Sequence, residues 1–154
     1  MTQPPTDREL FWADAVAASL PRDTKHVIRD SKTPSGPVPI SGLRGPVITD
    51  ALYRTFREHG LDVRYVFTID DFDPMDSASM KQQAGMAEQM GKPFFKIPSP
   101  DPGKDFARYH AERFLSTFER VGIHPQEIHW LRDLYGSGKL DHEIELVLRN
   151  ADTV

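Results

Sequence analysis

The 154-residue chain contains no cysteine. That absence excludes disulfides, a cysteine-ligated zinc and a thiol nucleophile within these residues. Long apolar runs are missing too. The stretch from Ala15 to Leu20 is too short for a membrane span or a signal core, and Met1 to Glu9 is polar, so a cytoplasmic protein is expected. Positive charge is not in excess: the formal net charge of -4 argues against binding nucleic acid through overall charge. The six histidines are scattered, with no pair at metal-ligand spacing on a helix, and no nucleophile elbow is present. Gly136-Ser137-Gly138-Lys139 resembles the end of a phosphate-binding loop. It lacks that loop's first glycine, since Asp133 stands there, and Leu140 replaces the magnesium-binding Ser/Thr, so it reads as a turn before a helix.

What is present reads as one α/β unit. The central stretch runs from His26 to Gly60: a short strand (His26 to Arg29), a Gly/Pro/Ser region (Thr33 to Gly42) and a helix from Leu43. A strand, a small-residue loop and a helix N-terminus can hold phosphate on free backbone N–H groups, and Gly36, Ser41 and Gly42 leave the backbone accessible. The same residues also suit an ordinary connection. Pro21 ends a preceding helix that starts near Arg8. Val47, Ile48, Ala51, Leu52 and Phe56 define the apolar face of the second helix, capped by Gly60. Val63 to Ile69 is a buried strand, parallel to the first with a right-handed crossover. A methionine-bearing helix is expected within Met80 to Met90, weakened by Gly85, its methionines filling core gaps. A third main helix carries Ala107 to Phe118 and closes at Gly122; Gln126 to Leu131 is a strand; Leu140, Ile144, Val147 and Leu148 mark a last helix. The alternation predicts a Rossmann-like three-layer domain with a mostly parallel sheet and helices on both faces.

Asp70-Asp71-Phe72-Asp73 follows the buried strand and belongs at the carboxyl edge of the sheet, where ligands of open α/β folds bind. Carboxylates there suit an ammonium group, a ribose hydroxyl or hydrated magnesium; a solvated turn with Asx hydrogen bonds would use the same residues.

A set of short segments in order resembles the start of the class I lysyl-tRNA synthetases. They are Phe11-Trp12-Ala13-Asp14, Lys32 to Gly36, Leu43-Arg44-Gly45, Asp70 to Asp76, Met90-Gly91-Lys92-Pro93, Ile97 to Pro100, Leu134 to Lys139 and Asn150-Ala151-Asp152. The resemblance implies an ATP-dependent ligase, with Mg2+, that activates lysine and transfers it to tRNA(Lys). Residues 1–154 would be the N-terminal half of its Rossmann-type catalytic domain, without the anticodon-binding domain. The family's His-Ile-Gly-His-type signature falls on Pro39, Ile40, Ser41 and Gly42, so a proline replaces the first histidine. Pro39 supplies no hydrogen-bond donor from side chain or backbone. By resemblance, Ser31 and Thr33 face lysine, and the shared carboxyl edge of the two parallel strands adds Asp70 and Asp71 opposite them; Ser35, Gly36, Pro39, Ser41 and Gly42 are the loop residues expected to face ATP. No zinc is expected, because the early metal ligands of some members fall near Pro102 to His110 without their cysteine. The expected partner is a complementary C-terminal half or a second copy, because Leu146, Val147 and Leu148 cannot all face one core. Two readings compete with a synthetase segment inactive alone. One is a non-enzymatic nucleotide-binding or interaction module; the other is a small nucleotidyltransferase, which the missing signature histidine disfavours.

Overall fold

The computed structural model describes residues 11–153. The polar tail and the start of the first helix, including Arg8 and Leu10, lie outside the described residues. Helix α1 (Trp12–Ser19) stops where Pro21 forces Leu20 into an extended conformation, with ψ at 144°. Its Asp14 carboxylate pairs at 2.8 Å with the ring of His59, near the end of α2 (Arg44–Glu58). Gly60, at φ 74°, supplies the left-handed residue that ends α2.

Strand β1 (Lys25–Lys32) is twice the length expected for it. It pairs in parallel with β2 (Asp62–Ile69) over all eight residues, from Lys25 opposite Asp62 to Lys32 opposite Ile69. That ladder holds Asp30, Ser31 and Lys32 extended although their intrinsic preference for strand is low. Strand β3 (Glu127–Trp130) pairs in parallel with the other edge of β2, so the order is β1-β2-β3. As expected, the fold is an α/β, Rossmann-like parallel sheet.

Strand order that advances in one direction, with right-handed crossovers, sends successive connections over the same face. Accordingly α2 and α4 (Phe106–Val121) both pack on the side carrying Val63, Tyr65, Phe67 and Ile69. The Phe67 ring lies 6.3 Å from Phe114 and 5.1 Å from Phe118, and burying a phenylalanine of this kind is worth about 1.5–3 kcal/mol. On the opposite face, Val66 and Thr68 are buried but join none of the three apolar clusters of the described residues.

Two local expectations are corrected and one short helix is added. Met80 to Met90 is not one helix: α3 (Ala78–Lys81) is a single turn, and a 3-10 turn follows at Ala87–Gln89. Gly85 separates them at φ 76°, which no helix continues through. The methionines do fill a core, where Met75 and Met80 pack with Phe94, Ile97, Phe106 and Ala107. In α2 the buried side is Pro46, Thr49, Asp50, Thr55 and Phe56, while Val47 and Ile48 face outward. The first half of α2 covers polar groups of the sheet, described below, so its inward residues are partly polar. Finally, a short helix α5 (Leu131–Gly136) follows β3 directly, and Gly138, at φ 72°, turns the chain into α6 (Asp141–Arg149). No residue of α6 is buried, and Leu148 is 69% exposed.

Candidate functional site

Because β1 and β2 are parallel, the residues that follow them emerge together. The Asp70 amide donates to the Lys32 carbonyl at 3.0 Å, which carries the pairing one step past the strands. The Thr33 hydroxyl then donates to Asp73 Oδ2 at 2.9 Å. Burial raises the pKa of Asp70; the Ser31 hydroxyl and Arg29 pull it back, while Asp73 and Asp71 add to the rise. Thr33, Ser35, Asp73, Asp76 and Ser77 line a cavity of about 280 Å³ beside Phe94. Two carboxylates and three hydroxyls around an aromatic wall have the chemistry to hold a cationic amine: they can accept hydrogen bonds and supply negative charge, and the ring can pack on methylene groups.

The Asp70–Asp76 segment is held in place from behind. Phe94 and Phe95 donate from their backbone N–H groups to the carbonyls of Asp73 and Asp71, at 3.1 and 3.2 Å, and Met75 N–H donates to Lys92 O at 2.9 Å. Asp71 itself turns the other way. Its carboxylate is fully buried; Oδ1 accepts from the Arg132 backbone N–H at 2.9 Å and Oδ2 accepts from Arg132 Nε. The other end of the guanidinium grips Asp105 at 2.6 and 3.1 Å. Asp105 is also the N-cap of α4, accepting from Arg108 N–H at 2.8 Å. The Arg132 plane lies 5.2 Å from the ring centroids of both Phe95 and Trp130. One arginine therefore ties the end of β2 to the starts of α4 and α5.

Of the residues expected to face lysine, the structure thus gathers Ser31, Thr33 and Asp70 at one edge, while both oxygens of Asp71 are held by Arg132. Asp73, which completes the cavity, stands in the same acidic run and was readable from it. Arg132 and Asp105 were not: they lie 61 and 34 residues from Asp71, with no local pattern to mark them.

The residues expected to face ATP are divided between two places. Ser35 belongs to the carboxylate cavity, next to Gly36. Pro39 precedes a 3-10 turn (Ile40–Leu43) that leads into α2, and Gly42 N–H donates to Pro39 O at 2.8 Å. Ser41 is exposed. Pro39 and Ile40 line a second cavity, of about 390 Å³, against Phe114, Thr117 and Val121 of α4. A Cβ on Gly42 would strike Val38 and come within 3.9 Å of Phe114, so glycine is required there by packing.

Below the start of α2 lies a polar pair without partners. Asp30 Oδ1 accepts from Ser31 N–H at 2.9 Å, but its Oδ2 and the Tyr65 hydroxyl are buried without a hydrogen bond among the described residues. A Cβ on Gly45 would stand 2.7 Å from that Oδ2, so the glycine lets the helix settle on the carboxylate. Burial raises the pKa of Asp30, and raises that of Tyr65 with help from the charges of Asp30 and Asp50. A carboxyl whose folded-state pKa is raised favours the folded state only when protonated, so at neutral pH Asp30 opposes folding. Asp30→Asn is expected to stabilise the protein by about 1 kcal/mol at pH 7, with the gain shrinking as pH falls into the carboxylate range. Urea denaturation at pH 7 and pH 4 checks it, and an unstable variant at pH 7 would refute it.

Among the described residues no group of three or more His, Asp or Glu side chains is arranged to hold a metal ion, and no helix is long and apolar enough to cross a membrane. The β1 and β2 ends pair beside an acidic cavity of about 280 Å³. The family described as tRNA synthetases class I (K) matches residues 10–154. The chain belongs to this family. Its curated relatives include the lysine–tRNA ligase of Methanosarcina barkeri (strain Fusaro / DSM 804), 29% identical over 147 residues that cover 94% of this chain and 27% of the relative. The Archaeoglobus fulgidus lysine–tRNA ligase is likewise 29% identical, over 94% of this chain and 30% of its own length. That of Treponema pallidum is 28% identical over 94% and 28%. The chain therefore spans less than a third of these lysine–tRNA ligases.

Proposed function

We propose that this chain supplies the first part of a class I lysyl-tRNA synthetase catalytic domain, and that its acidic cavity receives the side-chain ammonium of lysine. The observation that carries the reading is the Thr33–Asp73 hydrogen bond at the paired ends of β1 and β2, with Asp76 and Ser77 opposite. Asp73 and Asp76 attract the ammonium, Thr33, Ser35 and Ser77 complete its hydrogen bonds, and Phe94 contacts the alkyl chain. Ser31 and Asp70 lie beside the cavity and set its local charge. In this reading ATP with Mg2+ approaches along the loop from Ser35 to Gly42, and tRNA(Lys) is the acceptor in a cytoplasmic enzyme. The remaining groups for adenylation come from outside these residues, as the share of the relatives covered suggests. The bare apolar side of α6, with Ile144, Val147 and Leu148 exposed, supports a covering partner: the complementary C-terminal half, or failing that a second copy.

The test is a nuclear magnetic resonance titration of the chain with L-lysine and with L-norleucine, which keeps the chain and lacks the ammonium. Lysine alone should shift the amides of Thr33, Ser35, Asp73 and Ser77. Asp73→Asn should weaken binding by roughly tenfold, the value of one charge-assisted hydrogen bond. Equal responses to both amino acids would defeat the reading. The second reading, a binding module that does no chemistry, is favoured by Pro39 at the signature histidine position; both readings expect no exchange from this chain alone, and exchange that appears on adding the rest of a family member's catalytic domain would exclude the second.

A further inference from the structure

The acidic cavity is carried on a two-sided ribbon beyond the sheet. Residues 71–75 run antiparallel to residues 91–95: besides the three hydrogen bonds already given, Gly91 N–H donates to Met75 O at 2.8 Å, and Pro74 stands opposite Pro93. One side of the ribbon, continued to residue 77, brings Asp73, Asp76 and Ser77 to the cavity, and the other side brings Phe94. The width of the cavity is therefore the relation between these two sides. Arg132 does not line the cavity, yet both sides are fastened to it.

On the first side the anchor is Asp71, whose two buried oxygens are taken by the backbone N–H and the Nε of Arg132. The second side is reached through Asp105. That carboxylate accepts from both terminal nitrogens of the guanidinium, while its backbone bridges antiparallel to Pro98 and Phe106 N–H donates to Ile97 O at 2.9 Å. The Phe95 ring, at the same end of the ribbon, lies beside the guanidinium. Phe94 and Ile97 are buried, so this side is packed tightly enough to pass a displacement on rather than absorb it. A planar fork can hold two carboxylates on different elements at a fixed angle, which the point charge of an ammonium cannot do. The pairing also decides which charges face the cavity: Asp71 is taken out of the acidic run, and Asp73 and Asp76 are left to the ligand.

We infer that Arg132 is a positioning residue for this cavity. Acting through Asp71 and Asp105, it sets the gap between the Asp73 and Asp76 carboxylates on one side of the ribbon and the Phe94 ring on the other. This role rests on the reading of the cavity as the receptor for the lysine ammonium. A constellation of directed hydrogen bonds has to be held to within about 0.5 Å to bind well. Asp73 is two residues from Asp71 and Phe94 is next to Phe95, so slack at the arginine reaches the cavity almost undiluted. Because Arg132 stands in the first turn of α5, the shape of the cavity also depends on how the chain leaves β3.

Nuclear magnetic resonance titration of the full chain with L-lysine, at a temperature well below the melting point of every variant, tests this. Arg132→Gln should weaken lysine binding roughly tenfold, and Arg132→Lys, which restores the charge without the fork, roughly threefold. Phe118→Leu is the control for lost stability, because it loosens the core between α4 and β2 and should leave lysine affinity at the native value. Without ligand, hydrogen exchange at the Phe94 and Phe95 amides should quicken in Arg132→Gln by at least about tenfold relative to the Val66 amide in β2, and keep the native ratio in Phe118→Leu. Native lysine affinity in Arg132→Gln, or an equal loss of affinity in Phe118→Leu, would overturn the positioning role and leave the lysine reading standing. Equal responses of the native chain to L-lysine and L-norleucine would overturn that reading, and the role with it.

Discussion

Arg132→Gln is expected to lower the unfolding free energy by about 3–5 kcal/mol, the usual result of removing one partner from a buried ion pair. The cause is the group left behind. Asp71 is fully buried, and its carboxylate would lose the charge that balances it and the Nε–H that occupies Oδ2. Asp105 would lose both of its guanidinium hydrogen bonds while still capping α4. A loss of that size lowers the melting temperature of a domain this long by on the order of 10 °C. The companion Arg132→Gln, Asp71→Asn variant should recover part of the loss, because it leaves no unpaired buried charge. Chemical denaturation of the two variants checks both statements, and equal loss in both would show that packing of the guanidinium between Phe95 and Trp130 matters more than charge.

The same network makes an acid limit. Burial pushes the Asp105 pKa up, but the Arg132 hydrogen bonds, the Arg108 N–H and the two arginine charges outweigh it, leaving it below the ordinary value. A depressed folded-state pKa means stability that is present above the unfolded value of about 4 and is lost as pH falls below it. Asp30 and Asp70, whose pKa values are raised, act in the opposite sense over the carboxylate range.

Lysine-dependent exchange of pyrophosphate into ATP by this chain is expected to run at least about 10²–10³ below that of a family member with the signature histidine, since one missing oriented donor costs that much. Pro39 has no N–H, and its ring lines the α4 cavity, so neither backbone nor side chain supplies the donor at that position. Ser41 and Gly42 leave the following backbone open, but the Gly42 N–H is already committed to Pro39 O. Restoring the imidazole alone, as Pro39→His, should recover little, because the chain spans 27% of the Methanosarcina barkeri enzyme. A native rate within tenfold of that enzyme would refute this account and with it the binding-module reading. Lysine binding without exchange would support the first half of a synthetase site that does no chemistry on its own.

Much of this was legible without coordinates. The buried β2 strand announced itself by its β-branched and aromatic run, and Gly60 and Gly122 marked the ends of α2 and α4 by the conformation only glycine takes cheaply. Pro21 marked the end of α1. Parallel pairing followed from strand, helix, strand, and it placed Thr33 beside the Asp70 run before any distance was known. The collinear short segments carried the family. All of these signals are local, or depend only on the order of local signals, so sequence holds them in full.

What required the folded molecule was every property that depends on which distant residue arrives opposite. Asp71 and Asp73 look alike in the sequence, two carboxylates in one run, yet one is neutralised by Arg132 from just beyond the end of β3 and the other is left to the cavity by Thr33. The outward Val47 and Ile48 follow from where Asp30 and Tyr65 lie beneath α2, and the division of the signature loop from Ser35 follows from the packing of Val38 and Gly42 on Phe114. Burial and pairing free energies are long-range sums over neighbours brought together by the sheet. Helical and strand periods record which side of an element is apolar, but not which charge will meet it.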